Sequence, residues 1–247
     1  MLMLGCREKT GDYAIKARLL ALKIMGAITE SLGMGSKYLE SKMEDGMQVI
    51  AVNCYPQCPE PNLTLGLPPH SDYSCITIVL HSSCGLEIMD FTDGTWRLVP
   101  NLHGALQVHV GDHVEVLSNG LYKSMVHRVT LNNEKTRVSI ASLHSMGIDE
   151  KMATPEELIS NEHPKKYKES SFRDFLNFLS NNDITDGKSF IEFLKINYES
   201  WQCDQTGLSN ENAPVCMNKM GEDNSRDGDY LMKFKNVKKK RKTIENG

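Results

Sequence analysis

The sequence predicts a mainly β domain with flanking helices, arranged as a sandwich, a jelly roll or a barrel. Short runs of β-forming residues follow one another between residues 48 and 143. Turn-forming pairs such as Asp93-Gly94 and Asn119-Gly120 separate these runs. Helical periodicity appears before and after this region. We therefore expect a β core with helices at both ends.

The N-terminal region is predicted to be helical. Apolar side chains such as Leu20, Ile24 and Ile28 recur at helical spacing over residues 13–32, and Gly33 ends the pattern. A short helix is expected near residues 38–43. We interpret residues 1–46 as a helical support for the β domain.

The β domain with its C-terminal helices is expected to span residues 47–197. Its predicted strands are residues 48–52, 75–81, 86–91, 96–99, 105–110, 114–117, 122–128 and 137–143. A helix is expected to start at Thr154-Pro155, and two more are expected over residues 171–179 and 188–196. Residues 198–247 are predicted to form a disordered tail with a basic end.

Composition excludes several classes of protein. The 247 residues, with 40% hydrophobic and 24% charged side chains, can bury a normal core. The net charge of -4 gives no global argument for binding nucleic acid or an acidic membrane. Seven cysteines without a C-x-x-C pair argue against a disulfide framework or a zinc ribbon. No segment predicts a membrane span, and we expect a cytoplasmic protein. The basic run 238–242 is either a solvated tail or a nuclear address.

Three residues form a candidate metal site. In His70-Ser71-Asp72 the two outer side chains point the same way if the backbone is extended. His127 lies on a later predicted strand that can supply a third ligand. Two imidazoles and one carboxylate leave open positions on an ion, as in non-haem Fe(II) oxygenases. A lone H-x-D is more often structural than metal-binding, so this prediction depends on its context.

The other histidines are weaker candidates. His109 and His113 have the i, i+4 spacing that suits zinc on a helix. The local pattern instead predicts strand–turn–strand through Gly111-Asp112, which separates them. We interpret His81, His103 and His144 as structural or exposed.

A second polar group follows His127. Arg137-Val138-Ser139 places a guanidinium and a hydroxyl on one face of a predicted strand. Arg binds carboxylates in a bidentate manner, and the hydroxyl adds a further hydrogen bond. Tyr55 ends an earlier strand and is a third candidate for the same anion.

Six short motifs occur in a fixed order along residues 48–196. They are Asn53-Cys54-Tyr55-Pro56, His70-Ser71-Asp72, Gly111-Asp112, Leu117-Ser118-Asn119-Gly120, Tyr122-Lys123-Ser124-Met125-Val126-His127-Arg128 and Arg137-Val138-Ser139. Their order and spacing resemble the plant 2-oxoglutarate- and iron-dependent dioxygenases, which include flavanone 3-hydroxylase, anthocyanidin synthase, flavonol synthase and gibberellin oxidases. Cys54 stands where that family usually has tyrosine.

The resemblance implies a double-stranded β-helix, and it implies roles for the candidate residues. The metal ligands would be His70, Asp72 and His127, and the 2-oxoglutarate contacts would be Arg137, Ser139 and Tyr55. We expect Fe(II) as cofactor, 2-oxoglutarate as cosubstrate and ascorbate as supporting reductant. The expected reaction is hydroxylation or desaturation of a small plant metabolite, such as a flavonoid, with O2 consumed and succinate and CO2 released. Leu143 is the candidate substrate contact, no catalytic residue is assigned beyond the metal site, and we expect a monomer.

Two alternatives remain open at this point. Family members carry a larger helical N-terminal region, so the chain resembles an N-terminally truncated member that is catalytically impaired or only binds ligands. An ascorbate-dependent oxidase of the ethylene-forming type shares the triad and the R-x-S motif. The R-x-S motif therefore does not by itself identify the cosubstrate.

Overall fold

The computed structural model describes residues 2–182 and 189–196. Its α-helices, α1 to α5, are Leu2–Ser31, Glu40–Glu44, Asp112–Leu117, Phe172–Asn181 and Phe190–Leu194. Its strands, β1 to β8, are Met47–Tyr55, Leu65–His70, Ile76–His81, Leu86–Asp90, Thr95–Leu98, Gln107–Val110, His127–Thr130 and Arg137–Ser145. The tail predicted for residues 198–247 lies outside the described residues.

The strands form two four-stranded antiparallel sheets. The first sheet has the order β1-β8-β3-β6 and the second has the order β2-β7-β4-β5. Tyr55 of the first sheet packs against Leu86 and Val129 of the second, so the two sheets enclose a common interior. Apart from the β4–β5 hairpin, strands adjacent in a sheet are distant in sequence, as in a jelly roll. The predicted fold class is confirmed.

Helix α1 covers the outer face of the first sheet. It contributes Ala21 and Met25 to a core cluster that includes Ile76 and Ile78 of β3. The small side chain of Ala21 lets the helix approach the sheet closely. The helical spacing predicted for residues 13–32 is confirmed, although the helix begins earlier, at Leu2. No helix within the described segments is long and apolar enough to cross a membrane.

One predicted strand is wrong. Residues 114–117 belong to α3, and the strand–turn–strand expected at Gly111-Asp112 is a strand followed by a helix. Gly111 precedes the helix with an extended backbone, and Asp112 lies in its first turn, where an acidic side chain is favourable. Every residue of α3 is buried, so its apolar run has no helical period to distinguish it from a buried strand.

Other elements differ in extent. β2 was not predicted. Pro68 and Pro69 disfavour a strand in general, but β2 lies at the edge of the second sheet, where proline is tolerated. Its pairing with β7 is irregular between Leu67 and His70. The strand predicted for residues 122–128 begins only at His127. The helix expected at Thr154-Pro155 is a single 3₁₀ turn, Glu156–Leu158.

Buried histidines predict acid sensitivity of the fold, and His144 and His113 are two that lie outside the metal site. Burial lowers the pKa of His144 to about 4, with Arg18 contributing, and burial lowers the pKa of His113 to about 3. Each folded-state pKa lies below the unfolded value of about 6.5. The stability that each neutral histidine contributes is therefore fully present above that pH and is lost as the pH falls towards 4. We expect the free energy of unfolding in urea to fall by about 2 kcal/mol per histidine between pH 7 and pH 5.

The variant His144→Gln tests this acid sensitivity. It should make the free energy of unfolding depend less steeply on pH between 7 and 5, because it removes one of the histidines whose pKa is lowered by burial. His163 is exposed, so His163→Gln is the matched control and should leave the pH dependence unchanged. An unchanged pH dependence in His144→Gln would contradict the assignment.

Candidate functional site

The three predicted metal ligands come together at one end of the second sheet. His70 is the last residue of β2, Asp72 follows two residues later, and His127 is the first residue of β7. His70 and His127 pair directly across the two strands. Their donor atoms and a carboxylate oxygen of Asp72 all lie within 4.8 Å of one another. One ion can therefore be reached by all three side chains.

The two imidazoles are held in the same way. His70 Nδ1 lies 2.8 Å from the carbonyl oxygen of Pro68, and His127 Nδ1 lies 3.0 Å from that of Met125. Each carbonyl accepts a hydrogen bond from Nδ1–H, which leaves the Nε2 lone pair free. The two Nε2 atoms face Asp72 Oδ1, at 3.8 and 3.9 Å. Burial, followed by His127, lowers the pKa of His70, so its neutral, ligating form is favoured.

This donor set fits a ferrous ion. Two neutral imidazole nitrogens and one carboxylate oxygen are the protein ligands of the facial triad in non-haem Fe(II) oxygenases. Each histidine already has the backbone partner that fixes its tautomer and ring orientation. The residues present would therefore hold the metal without rearrangement of their hydrogen bonds.

The start of α3 supports the segment that carries Asp72. The Asp112 amide donates to the Asp72 carbonyl at 2.8 Å, and the Gly111 amide donates to the Cys75 carbonyl at 3.0 Å. A Cβ atom on Gly111 would lie 2.0 Å from the Ser74 carbonyl oxygen, so only glycine allows this close approach. Gly111-Asp112 was recognised as a motif in the sequence, but only the structure shows that it supports the metal-site segment through backbone hydrogen bonds.

The Asp112 side chain is buried near the metal site. Burial raises its pKa to about 7, and the hydroxyls of Ser124 and Ser71 oppose that shift. Ser71 separates His70 from Asp72, and Ser124 precedes His127 by three residues. Asp112 therefore supports the Asp72 segment through its backbone amide, which donates to the Asp72 carbonyl.

Arg137 lies in the interior with one unused donor. Its side chain is 2% exposed. Its Nε donates to the Ser83 carbonyl at 3.1 Å, and its Nη2 donates to His81 Nδ1 at 3.3 Å. Its Nη1 has no hydrogen-bond partner among the described residues. A buried, unpaired guanidinium nitrogen is unfavourable and is suited to an incoming carboxylate.

Tyr55 and Ser139 flank this guanidinium. The Arg137 guanidinium lies 5.1 Å from the centre of the Tyr55 ring, and the two residues are paired across β1 and β8. Burial lowers the pKa of Arg137, and Tyr55 opposes that shift. Ser139 is buried two residues further along the same face of β8. The three predicted cosubstrate contacts therefore lie together, and they fit the distal carboxylate of 2-oxoglutarate.

Leu143 lies on the same face of β8 as Arg137, since an even number of residues separates them. It is partly buried and pairs with Val49 of β1 and Thr77 of β3. Val49 is 42% exposed, so an apolar surface continues from Leu143 towards solvent. This placement is compatible with the predicted substrate contact.

The two histidines considered for a zinc site, His109 and His113, lie in different parts of the structure. His113 Nδ1 lies 3.6 Å from Cys75 Sγ in the core, whereas His109 lies on β6 and faces Asp72, so the two do not form one site. Burial, followed by His127, lowers the pKa of His109 to about 4, and Asp72 opposes the shift.

His81 was interpreted as structural or exposed; it is buried and contacts Arg137, which the structural part of that interpretation allows. His103 is exposed and His144 is buried, as that interpretation allowed. The alternation of inward residues at Gln107 and His109 of β6 was the signal available in the sequence for finding His109.

Comparison with known proteins identifies the family. A sequence model of the 2OG-Fe(II) oxygenase superfamily matches residues 46–145. Flavanone 3-dioxygenase 3 of Oryza sativa subsp. japonica is 46% identical over 190 residues, which cover 77% of this chain and 58% of the relative. The relative named 2-oxoglutarate-dependent dioxygenase 21, chloroplastic, from the same rice, is 49% identical over 191 residues, which cover 77% and 57%. The chain thus spans less than two thirds of the length of these relatives.

A solved structure supports the same assignment. JOX2 in complex with 2OG, Fe and JA has a TM-score of 0.66 and 34% identity, covering 70% of this chain and 52% of that chain. The two-sheet fold is accordingly a double-stranded β-helix. With 46–49% identity to rice dioxygenases over 77% of its length, the chain belongs to the 2OG-Fe(II) oxygenase superfamily, among the plant 2-oxoglutarate- and iron-dependent dioxygenases.

Proposed function

We propose that this protein uses Fe(II), 2-oxoglutarate and O2 to hydroxylate or desaturate a small, mostly apolar plant metabolite. The observation that carries the proposal is the pairing of two sites in one interior. One is the His70–Asp72–His127 cluster with both Nε2 atoms facing a carboxylate oxygen. The other is the buried Arg137 with an unused donor.

The protein side chains have distinct tasks in this reaction. His70, Asp72 and His127 hold the metal and leave its other positions to cosubstrate and oxygen. Arg137 and Ser139 bind and orient the distal carboxylate of 2-oxoglutarate. When bound, iron with this cosubstrate supplies the oxidising power for attack on an unactivated C–H bond, with release of succinate and CO2. The buried interior excludes water from that step.

A flavonoid is the substrate class we favour. Flavanone 3-dioxygenase 3 is among the relatives, and it matches across most of this chain. The apolar pair Val49 and Leu143 lies on the face of the first sheet that carries Arg137, where it would contact a flat hydrophobic molecule. We further propose ascorbate as a supporting reductant, a monomeric state and a cytoplasmic location.

The direct test measures succinate formation by the full chain. With Fe(II), 2-oxoglutarate, ascorbate and O2, a panel of flavanones should give succinate and oxidised product in equal amounts. A chain that binds metal and forms no succinate with or without substrate would contradict the proposal. Product formation with ascorbate but without 2-oxoglutarate would instead support an oxidase of the ethylene-forming type.

The variant Arg137→Leu separates cosubstrate binding from metal binding. We expect it to weaken 2-oxoglutarate binding by about 10- to 100-fold, since charge-assisted hydrogen bonds are lost. Co(II) binding should be unchanged, because Arg137 is not a ligand. Isothermal titration calorimetry measures both affinities, and the exposed Arg97→Leu is the control. Unchanged 2-oxoglutarate affinity in Arg137→Leu would exclude the assigned role.

A further inference from the structure

His109 is a buried imidazole opposite the metal ligands. It lies on β6 of the first sheet, whereas the three ligands belong to the second sheet or follow its strands. Its side chain is 4% exposed, and its ring lies edge-on to His127 with 4.8 Å between ring centres. His109 is thus the first sheet's contact with the metal site.

The polar atom of His109 nearest the site has no hydrogen-bond partner. Among the described residues, none bonds to its Nδ1, which is fully buried. A buried, unsatisfied ring nitrogen is unfavourable, so such an atom usually has a partner in the working protein. The facing group is the carboxylate of Asp72, whose Oδ2 lies 3.9 Å from Nδ1.

The two oxygens of Asp72 face different partners. Oδ1 faces the Nε2 atoms of His70 and His127, where a metal would be bound, while Oδ2 faces His109. A carboxylate that binds metal through one oxygen retains an acceptor on the other, and a hydrogen bond there fixes its orientation. The distance exceeds a typical N–H···O contact of about 3.0 Å by about 0.9 Å, so the hydrogen bond requires a small movement of the carboxylate or the ring.

His109 does not belong to the ligand set itself. In the described part of the chain, the donor atoms that all lie within 4.8 Å of one another come from His70, Asp72 and His127. His109 approaches this group through Asp72 Oδ2, whereas Oδ1 is the oxygen nearest the other two histidines. Its position therefore suits a residue that acts through a ligand.

We propose that His109 is a positioning residue that donates Nδ1–H to Asp72 Oδ2 and thereby directs Oδ1 towards the metal. The proposal rests on the proposed function, since it assumes that the triad binds a metal. It also links the two sheets through the site, because a strand of the first sheet orients a ligand that follows a strand of the second.

The test compares three variants by their affinity for Co(II) alone. In His109→Asn the amide nitrogen is bonded to Cγ, as Nδ1 is in histidine, so the donor is retained. In His109→Gln the amide lies one bond further out, and His109→Leu has no donor. We expect Co(II) affinity to fall by about 10- to 100-fold in His109→Leu, and to stay close to wild type in His109→Asn. The visible spectrum of bound Co(II) should change in His109→Leu and be restored in His109→Asn.

Each outcome decides between the proposals. If the wild-type chain binds no Co(II), both this proposal and the proposed function fail. If the wild type binds Co(II) and His109→Leu binds it equally well, only the role of His109 fails. If Co(II) affinity falls equally in His109→Asn and His109→Leu, the loss comes from packing, and this also overturns the role of His109. If circular dichroism shows that His109→Leu does not fold, tighter binding by His109→Asn than by His109→Gln supports the role, and equal binding overturns it.

Discussion

Asp72→Ala should abolish metal binding and all turnover. Asp72 supplies the carboxylate oxygen that both ligand imidazoles face, at 3.8 and 3.9 Å. Changes to residues behind a ligand weaken metal affinity by about 10- to 100-fold, so loss of the ligand itself should exceed about 100-fold. The two remaining imidazoles carry no charge to balance a divalent ion, which adds to the loss.

Calorimetric titration with Co(II) and the succinate assay measure the two consequences of Asp72→Ala separately. The control is Asp45→Ala, which removes an exposed carboxylate beside α2 and should leave both measurements unchanged. The fold should survive Asp72→Ala, because the backbone contact between the Asp112 amide and the carbonyl of residue 72 does not need the side chain. Retained turnover in Asp72→Ala would exclude the metal site as assigned.

Gly111→Ala is expected to damage the site although residue 111 supplies no metal ligand. The added Cβ would lie 2.0 Å from the Ser74 carbonyl oxygen and 2.8 Å from that of Asp72. Both atoms belong to the backbone, so the Asp72–Ser74 segment must move away. We expect a loss of about 1–3 kcal/mol in the free energy of unfolding. Because Asp72 moves with the segment, Co(II) affinity should also fall.

A second glycine provides the control for this effect. The nearest atom to a Cβ on Gly147 would be Glu150 Cβ at 3.9 Å, an ordinary contact, so Gly147→Ala should be close to neutral. Urea unfolding and Co(II) titration measure both variants. If Gly111→Ala keeps wild-type stability and metal affinity, the close approach of α3 to the Asp72 segment does not support the site.

The sequence predicted the fold class because its strand and turn pattern was clear where one strand face was buried and the other was not. It failed where that contrast was missing. All six residues of α3 are buried, so residues 114–117 had no period to follow. The irregular edge strand β2 was hidden by Pro68 and Pro69. Strand pairing such as that of Tyr55 with Arg137 depends on contacts between distant segments, which a local pattern does not contain.

The residues of the candidate site also divide into those that the sequence could predict and those that it could not. His70, Asp72, His127 and Arg137 could be found because their residue types and spacing are tied to one chemistry. His109 and His81 were not assigned to the site, since strand alternation can place a histidine inward but an isolated histidine there is compatible with many roles. Their contacts with Asp72 and Arg137 arise only when the strands of the first sheet are placed side by side.

The two prolines of β2 have a consequence for association between molecules. An edge strand exposes unpaired backbone groups that can recruit a strand from another chain. Pro68 and Pro69 have no amide hydrogen to donate, and their rings fix the backbone immediately before His70. The edge that carries a metal ligand is therefore a poor template for aggregation. Replacing these prolines to regularise the strand would make the protein more prone to edge-to-edge association and would also make the position of His70 less fixed.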